Sequence, residues 1–147
     1  MTESEQAQVV LPALLRAARG AYANAVRAEL EDAGFADLPR NGAFVIGGMA
    51  NHGERAADLI RELGKGPART GALLDALTET GYVTRDVDAS GGLTVELTDR
   101  GRAAAAAVRE AVTSVDAELA TLISADELAG LRAGLVALWQ IRERRQA

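Results

Sequence analysis

Apolar residues recur at steps of three and four along most of the chain, which is the spacing of an α-helix with one buried face. In the first segment of this kind, Pro12 suits an opening helical turn. The pattern predicts a helix from about Gln8 to Asp32. Its apolar face consists of Leu11, Leu14, Leu15, Ala18, Tyr22, Val26 and Leu30.

Three shorter helices are predicted next. The segment NGAFVIGGMANHG, residues 41–53, is typical of a mostly buried helix, weakened by Gly47 and Gly48. RAADLIRELG, residues 55–64, predicts a short amphipathic helix that ends at its final glycine. Pro67 suits the first position of a fourth helix, because its missing N–H would be unpaired there in any case. The buried face of that helix is formed by Leu73, Leu74 and Leu77.

A β-hairpin is predicted after the fourth helix. YVTRDV, residues 82–87, and LTVEL, residues 93–97, alternate apolar and polar positions as strands do. The segment between them, DASGG, is rich in turn residues. Helix, turn, helix and hairpin in this order indicate a winged helix-turn-helix. The predicted fold class is mainly α with a small β-hairpin, in which long N- and C-terminal helices flank the winged helix.

Two long helices are predicted for the remainder of the chain. Thr98 can cap the first, which continues to about Leu122. Ser124 and Glu127 form a capping box that opens the second. In that last helix, leucines at 3-4-3 spacing form a narrow seam that suits packing against another helix, including one from a partner chain. These leucines are Leu128, Leu131, Leu135 and Leu138.

The composition limits the chemistry that the chain can perform. Among 147 residues there is no cysteine and only one histidine, His52, so disulfides, cysteine metal sites and histidine clusters are excluded. No apolar run approaches the roughly 18 residues of a bilayer span, and no signal peptide is evident, so we expect a cytoplasmic protein without a membrane partner. The formal net charge of −5 gives no general attraction to nucleic acid, so DNA binding must depend on local features.

With this order of elements, the chain resembles the MarR family of bacterial transcriptional regulators over nearly its whole length. Segment 38–49, LPRNGAFVIGGM, resembles the second helix of an actinobacterial-type subgroup. The most specific matches are Leu63-Gly64, Leu73/Leu74-Asp75-x-Leu77, Gly81-Tyr82-Val83 and Leu97-Thr98-Asp99-Arg100-Gly101-Arg102.

The resemblance implies an obligate homodimer joined through its N- and C-terminal helices. Such proteins bind pseudo-palindromic operators and release them when a small phenolic or lipophilic ligand occupies the cleft between the dimerisation and DNA-binding parts. The expected organisation is a dimerisation helix at 1–35, a winged helix-turn-helix domain at 36–102 and dimerisation helices at 103–147.

The positions that would contact DNA depart from the family pattern. Between Gly66 and Leu97 there are two basic residues and five acidic ones, whereas phosphate binding depends on lysine and arginine. GPARTGA stands where the family usually has a polar, basic run, and Ala-Ser-Gly stands at the wing tip in place of Asp-Arg-Arg. The remaining candidate DNA contacts are Lys65, Arg69, Thr70, Arg85 and Ser90.

Each basic candidate has an alternative interpretation. Lys65 and Arg69 can equally be ordinary solvated charges, and Arg85 can pair with Asp86 or Asp88. The amides at the start of the fourth helix can still bind a phosphate without a side chain, but they would give no sequence choice.

A set of apolar and polar residues is a candidate ligand site in the cleft. The alternative is that these are core, dimer or exposed helix positions, with the histidine as a helix C-terminal cap. His52 and Tyr22 are also the two weak candidates for a catalytic acid or base, since no arrangement of residues indicates a particular reaction, cofactor or metal. The candidate ligand-binding residues are Arg19, Tyr22, Phe44, Met49, His52 and Trp139.

Two functions remain open at this stage. The first is a homodimeric, ligand-responsive regulator that binds DNA. The second is a repurposed scaffold that has lost DNA binding and uses the dimer cleft to bind or transform a small molecule, as in specialised metabolism. Function depends on sites and not on the fold, so the scaffold permits either.

Overall fold

The computed structural model describes residues 2–53, 55–62 and 67–147. The predicted fold class is confirmed over these ranges, which form seven helices and one antiparallel hairpin. In chain order the elements are α1 (Glu3–Gln6), α2 (Leu11–Asp32), α3 (Gly42–His52), α4 (Ala56–Glu62), α5 (Pro67–Glu79), β1 (Val83–Val87), β2 (Leu93–Leu97), α6 (Asp99–Leu122) and α7 (Ala125–Gln146).

The start of the long first helix differs from the prediction. It begins at Leu11 after an extended Val10 with ψ of 145°, and not at about Gln8. The cause is Pro12, whose ring would clash with the carbonyl of Gln8 in a continuous helix. The short α1 upstream was not predicted, although its capping box is visible in the sequence: the Thr2 side chain accepts from Glu5 N, and the Glu5 carboxylate accepts from Thr2 N.

The hydrophobic core lies among α3, α4, α5, β1 and the first half of α6. Of the three leucines predicted to be buried in α5, Leu74 and Leu77 are confirmed at 5% and 0% exposed, and Leu73 is half-buried against the core. Small side chains on α6, including Ala104, allow that helix to approach the core closely. The largest fully buried side chains are Val45, Ile46, Ile60, Leu77, Tyr82 and Val83.

The hairpin is in the predicted place, with Val83 opposite Leu97 and Val87 opposite Leu93. Thr98 caps α6 as predicted, since its hydroxyl oxygen accepts from Gly101 N at 3.0 Å. The same hydroxyl donates to the Gly81 carbonyl at 2.6 Å. One threonine therefore ties the start of α6 to the end of the loop that follows α5.

By internal contacts the chain divides into one unit that ends at Val112 and a second, Thr113–Ala147. In the second unit the predicted capping box of α7 is confirmed, with Glu127 N donating to Ser124 Oγ at 3.2 Å and Ser124 N to Glu127 Oε2 at 2.7 Å. The leucine seam of α7 is largely exposed, with Leu131, Leu135 and Leu138 at 42–44%. Among the described residues, no helix is both long and apolar enough to cross a membrane.

Candidate nucleic-acid interface and ligand cavity

Arg85 attaches the wing to α5, the second helix of the predicted helix-turn-helix and therefore its recognition helix. Its Nη2 lies 2.7 Å from Asp75 Oδ1 and 3.5 Å from the Gly71 carbonyl oxygen, both on α5. The ion pair therefore goes to Asp75, and not to the Asp86 or Asp88 that the sequence suggested. Because its Nη2 donor is already used in this way, Arg85 positions the wing against α5.

The wing tip is organised by the Asp88 carboxylate. Asp88 Oδ1 accepts from Ser90 Oγ at 2.7 Å, from Ser90 N at 2.9 Å and from Gly92 N at 2.7 Å. These bonds, of which the one from the Ser90 side chain has the largest effect, lower the pKa of Asp88. The tip is thus anionic at neutral pH, and the Ser90 hydroxyl donates to this carboxylate and not to solvent.

The first turn of α5 presents Arg69, which is exposed, and Thr70, which is half-buried. Lys65 lies outside the described residues. Arg69 also lines a groove of about 310 Å³ with a second arginine, Arg40, which was not among the sequence candidates. The signal that could have found Arg40 is a charge in the LPRNG segment before α3, but only the fold places it beside α5.

A cluster built on Arg100 joins the 36–38 loop to the starts of β1 and α6. Arg100 Nη2 lies 2.9 and 3.0 Å from the two Asp37 carboxylate oxygens, and its guanidinium stacks 4.4 Å from the centre of the Tyr82 ring. The Tyr82 hydroxyl donates to Asp37 Oδ1 at 2.5 Å, and Arg100 also donates to the Thr80 carbonyl. The cluster fixes the scaffold of the winged helix.

The same contacts shift two pKa values in the cluster. Hydrogen bonds from Tyr82 and then from Arg100 lower the pKa of Asp37. Burial, followed by the bond to Asp37, raises the pKa of Tyr82 from 10.0 to about 12. Neutral Tyr82 therefore stabilises the fold fully below pH 10, and this contribution is lost as the pH rises towards 12.

Replacement of Tyr82 by phenylalanine tests this linkage. We expect a loss of about 1.5–3 kcal/mol in the free energy of unfolding at pH 7, because one hydrogen bond to a charged group is removed. The stability of Tyr82→Phe should then decline less than that of the wild type above pH 10. Urea unfolding at a series of pH values measures both effects. If the free energy of unfolding falls in parallel for the two proteins above pH 10, Tyr82 is not the residue whose ionisation destabilises the fold.

An open cavity of about 660 Å³ lies between α3, β2 and α6. Arg102 and Arg109 come from one face of α6, about 10 Å apart along its axis. Arg102 Nη1 donates to the Leu97 carbonyl at 2.8 Å, and its Nη2 pairs with Asp99. The volume is within the usual range for small-molecule sites. The remaining lining residues are Met49, Ala50, Gly53, Val95, Glu96, Leu97, Ala105 and Ala106.

Among the six predicted ligand residues, Met49 lines this cavity. His52 ends α3 one turn further on, and its side chain is outside the described part of the structure. Phe44 is 45% exposed and lies five residues before Met49, which places it about 140° around the helix. Met49 and Phe44 therefore face different directions.

The other predicted ligand residues lie on α2 and α7. Tyr22 is half-buried and Arg19 is exposed, both on α2, and Trp139 on α7 is 59% exposed within the second unit. A single site that combines all six residues remains a prediction. Among the described residues, no three His, Cys, Asp or Glu side chains are grouped closely enough to hold a metal ion.

No protein-family model and no curated protein matches the chain. Several solved structures are similar to it. The Staphylococcus aureus MepR–DNA complex has 19% identity and a TM-score of 0.71, over 89% of this chain and 95% of that one. The repressor CouR bound to p-coumaroyl-CoA has 24% identity and a TM-score of 0.67, over 94% and 96%.

A third similar structure is the Mycobacterium tuberculosis MarR family protein Rv2887 in complex with p-aminosalicylic acid. It has 26% identity and a TM-score of 0.59, over 88% of this chain and 98% of that one. All three neighbours are MarR family regulators, and the similarity in each case spans most of both chains. The chain therefore has the MarR-type winged-helix fold that its sequence predicted.

Proposed function

We propose that this protein is a transcriptional regulator that binds DNA as a homodimer and responds to a small molecule. The observation that carries the proposal is a MarR-type winged-helix fold over the described residues, in which Arg85 and Asp75 hold the wing against α5. MepR and CouR, which share this fold, have been crystallised with DNA. A wing and a helix held in a fixed relation suit a rigid surface such as duplex DNA.

Homodimer formation is supported by exposed apolar surface at the ends of the chain. On α2, Leu11 and Leu14 are 67% and 42% exposed, and on α7 Leu135 and Trp139 are 43% and 59% exposed. Large exposed apolar patches mark interaction sites in soluble proteins. The leucine seam of α7 has the spacing of helix-to-helix packing, and a second copy of the chain would cover it.

The cavity between α3, β2 and α6 is the proposed effector site. Arg109 and Arg102 would attract an anion, and Met49 and the alanines of α6 would contact an apolar ring. Rv2887 has been crystallised with salicylic acid, a molecule of this chemistry. A carboxylate that engages Arg102 would compete with Asp99 and with the bond to Leu97 on β2, and would thereby affect the wing.

Salicylate is a suitable probe of this site. Arg109→Ala is expected to weaken salicylate binding at least tenfold, because a charge-assisted hydrogen bond is worth about 1.5–3 kcal/mol. Its affinity for DNA without salicylate should remain that of the wild type. Isothermal calorimetry measures the first quantity and fluorescence anisotropy the second.

The control for this experiment is Arg16→Ala, which removes an exposed arginine on α2. Equal salicylate affinity in the wild type and both variants would exclude the cavity as the effector site. Loss of DNA binding in Arg109→Ala alone would also contradict the assignment, since it would place that arginine at the DNA interface.

DNA binding itself is tested by anisotropy titrations with fragments from the neighbourhood of the gene. We expect nanomolar affinity for one fragment, weakened steeply by salt, against micromolar affinity for random DNA. Equal affinity for every fragment at low salt would contradict the proposed function as a transcriptional regulator.

A second function, binding of a small molecule without DNA, is favoured by the wing. Asp88 holds the Ser90 hydroxyl, and Asp75 holds Arg85, so both wing candidates are engaged within the protein. Under this alternative, salicylate binding persists while all DNA binding remains non-specific. If such a protein also transformed its ligand, His52 or Tyr22 would act as the acid or base. Turnover that persists after replacement of both residues would exclude this catalytic role.

A further inference from the structure

We infer that Arg40 and Arg69 together bind one backbone phosphate of the DNA, in the groove where the turn before α3 meets α5. This inference rests on the proposed DNA-binding function and adds Arg40, which lies outside both the wing and the recognition helix, as a partner of Arg69. The groove has a volume of about 310 Å³ and is lined by Arg40, Asn41, Arg69, Ala72 and Leu73.

The backbone at Arg40 is held in a fixed position beside α5. Gly42 N donates to the Pro39 carbonyl at 2.8 Å, which closes a four-residue turn with Arg40 at its second position. Asn41 follows with φ of 67°, in the left-handed region. Gly42 is buried so tightly that an added Cβ would lie 3.2 Å from Leu77 Cδ2 on α5. The turn therefore packs directly on the recognition helix.

Arg69 reaches the same groove from the helix side. Arg69, Ala72 and Leu73 are three and four residues apart, which places them on one face of α5. Leu73 packs against the hydrophobic core and so fixes the rotation of this face. The Arg69 side chain extends from the first turn of α5, where the partial positive charge of the helix also favours an anion.

Three other arginines of the winged helix have carboxylate partners. Arg85 is paired with Asp75, Arg100 with Asp37 and Arg102 with Asp99. Neither Arg40 nor Arg69 is paired with a carboxylate in the described part of the chain, and both are exposed.

The described residues that line the groove include no acidic side chain. The two guanidinium groups, which have no carboxylate partner among the described residues, stand on a rigid base and match a phosphate, which accepts hydrogen bonds in the fork geometry of arginine. The location at the first turn of the recognition helix favours the DNA backbone as the anionic partner, and the alternative partner is the carboxylates of an acidic protein surface.

The test is a salt titration of DNA affinity for the wild type, Arg40→Gln, Arg69→Gln and the control Arg16→Gln, all as full-length protein. Each phosphate contact contributes about 0.9 to the slope of log affinity against log salt. We expect Arg40→Gln to reduce the slope by about 0.9, with an affinity about eightfold lower at 0.1 M salt, for operator and random DNA alike. Circular dichroism verifies that each variant is folded.

Three outcomes would overturn the inference, and they are distinguishable from one another. If the wild type binds DNA and Arg40→Gln has the same slope and affinity, the inference is wrong while the proposed function stands. If the slope of log affinity against log salt falls as much in Arg16→Gln as in Arg40→Gln, the change reflects the net charge of the protein, and the groove is not a phosphate-binding site. If the wild type shows no salt-dependent DNA binding, both the inference and the proposed function fail.

Discussion

Gly101→Ala is expected to unfold much of the winged helix, with a loss of about 3 kcal/mol or more in stability. A Cβ at this third position of α6 would lie 2.0 Å from the Tyr82 carbonyl oxygen and 3.1 Å from Leu97 Cδ2. The obstructing atom is backbone, so no rotamer change relieves it. The same carbonyl accepts from Thr98 N at 3.1 Å, and displacement of α6 would break that bond as well.

Thermal unfolding followed by circular dichroism measures this effect, and we expect a Tm lower by about 10 °C or more. Gly20→Ala on α2 is the matched control, because that helical glycine has open space where a Cβ would be added and lies away from the apolar face of its helix. Its stability should rise by about 0.5–1 kcal/mol, as alanine is the better helix former. A Gly101→Ala protein as stable as the wild type would show that α6 does not approach Tyr82 so closely.

Leu77→Ala is expected to cost about 2–5 kcal/mol, because it leaves a cavity in a tightly packed core. Leu77 is 0% exposed and lies among the buried side chains of the core cluster. It is also the residue of α5 against which Gly42 packs, so its loss frees the turn that carries Arg40. We therefore expect weaker DNA binding in the protein that remains folded.

Equilibrium unfolding in urea gives the magnitude for Leu77→Ala. The control is Leu122→Ala at the end of α6, where the leucine is 74% exposed and truncation should change stability by less than about 0.5 kcal/mol. Similar losses in the two variants would mean that the core is not centred on α5. A loss in Leu122→Ala alone would place Leu122 in a buried interface between subunits.

The elements were predictable because their determinants are local. The spacing of leucines predicted α5, and the capping box of Ser124 and Glu127 predicted the start of α7. The alternation of apolar and polar residues predicted the hairpin. The error at Gln8 came from treating Pro12 as an opening residue while extending the helix before it. Among the positions that carried the resemblance to the MarR family, the structure buries Leu74, Leu77, Tyr82, Val83 and Gly101, whereas Leu63 and Gly64 lie outside the described residues.

The partners of charged side chains were not predictable, since they depend on tertiary contacts. Asp37 pairs with Arg100, which lies 63 residues later in the sequence. Arg85 pairs with Asp75 on α5, whereas its neighbours in the sequence, Asp86 and Asp88, were the predicted partners. Arg40 was missed for the same reason, because only the turn at Gly42 brings it beside α5. The six predicted ligand residues and the dimer remain predictions that experiment must decide.

Footprinting of the purified protein on DNA upstream of its own gene is the direct test of operator binding. We expect two protected half-sites related by a pseudo-dyad, about one helical turn apart, because a symmetric dimer presents two recognition helices. Salicylate should remove that protection if the cavity at Arg102 and Arg109 is the effector site. Absence of any discrete protection at protein concentrations that coat random DNA would contradict the account and favour a small-molecule binder without an operator.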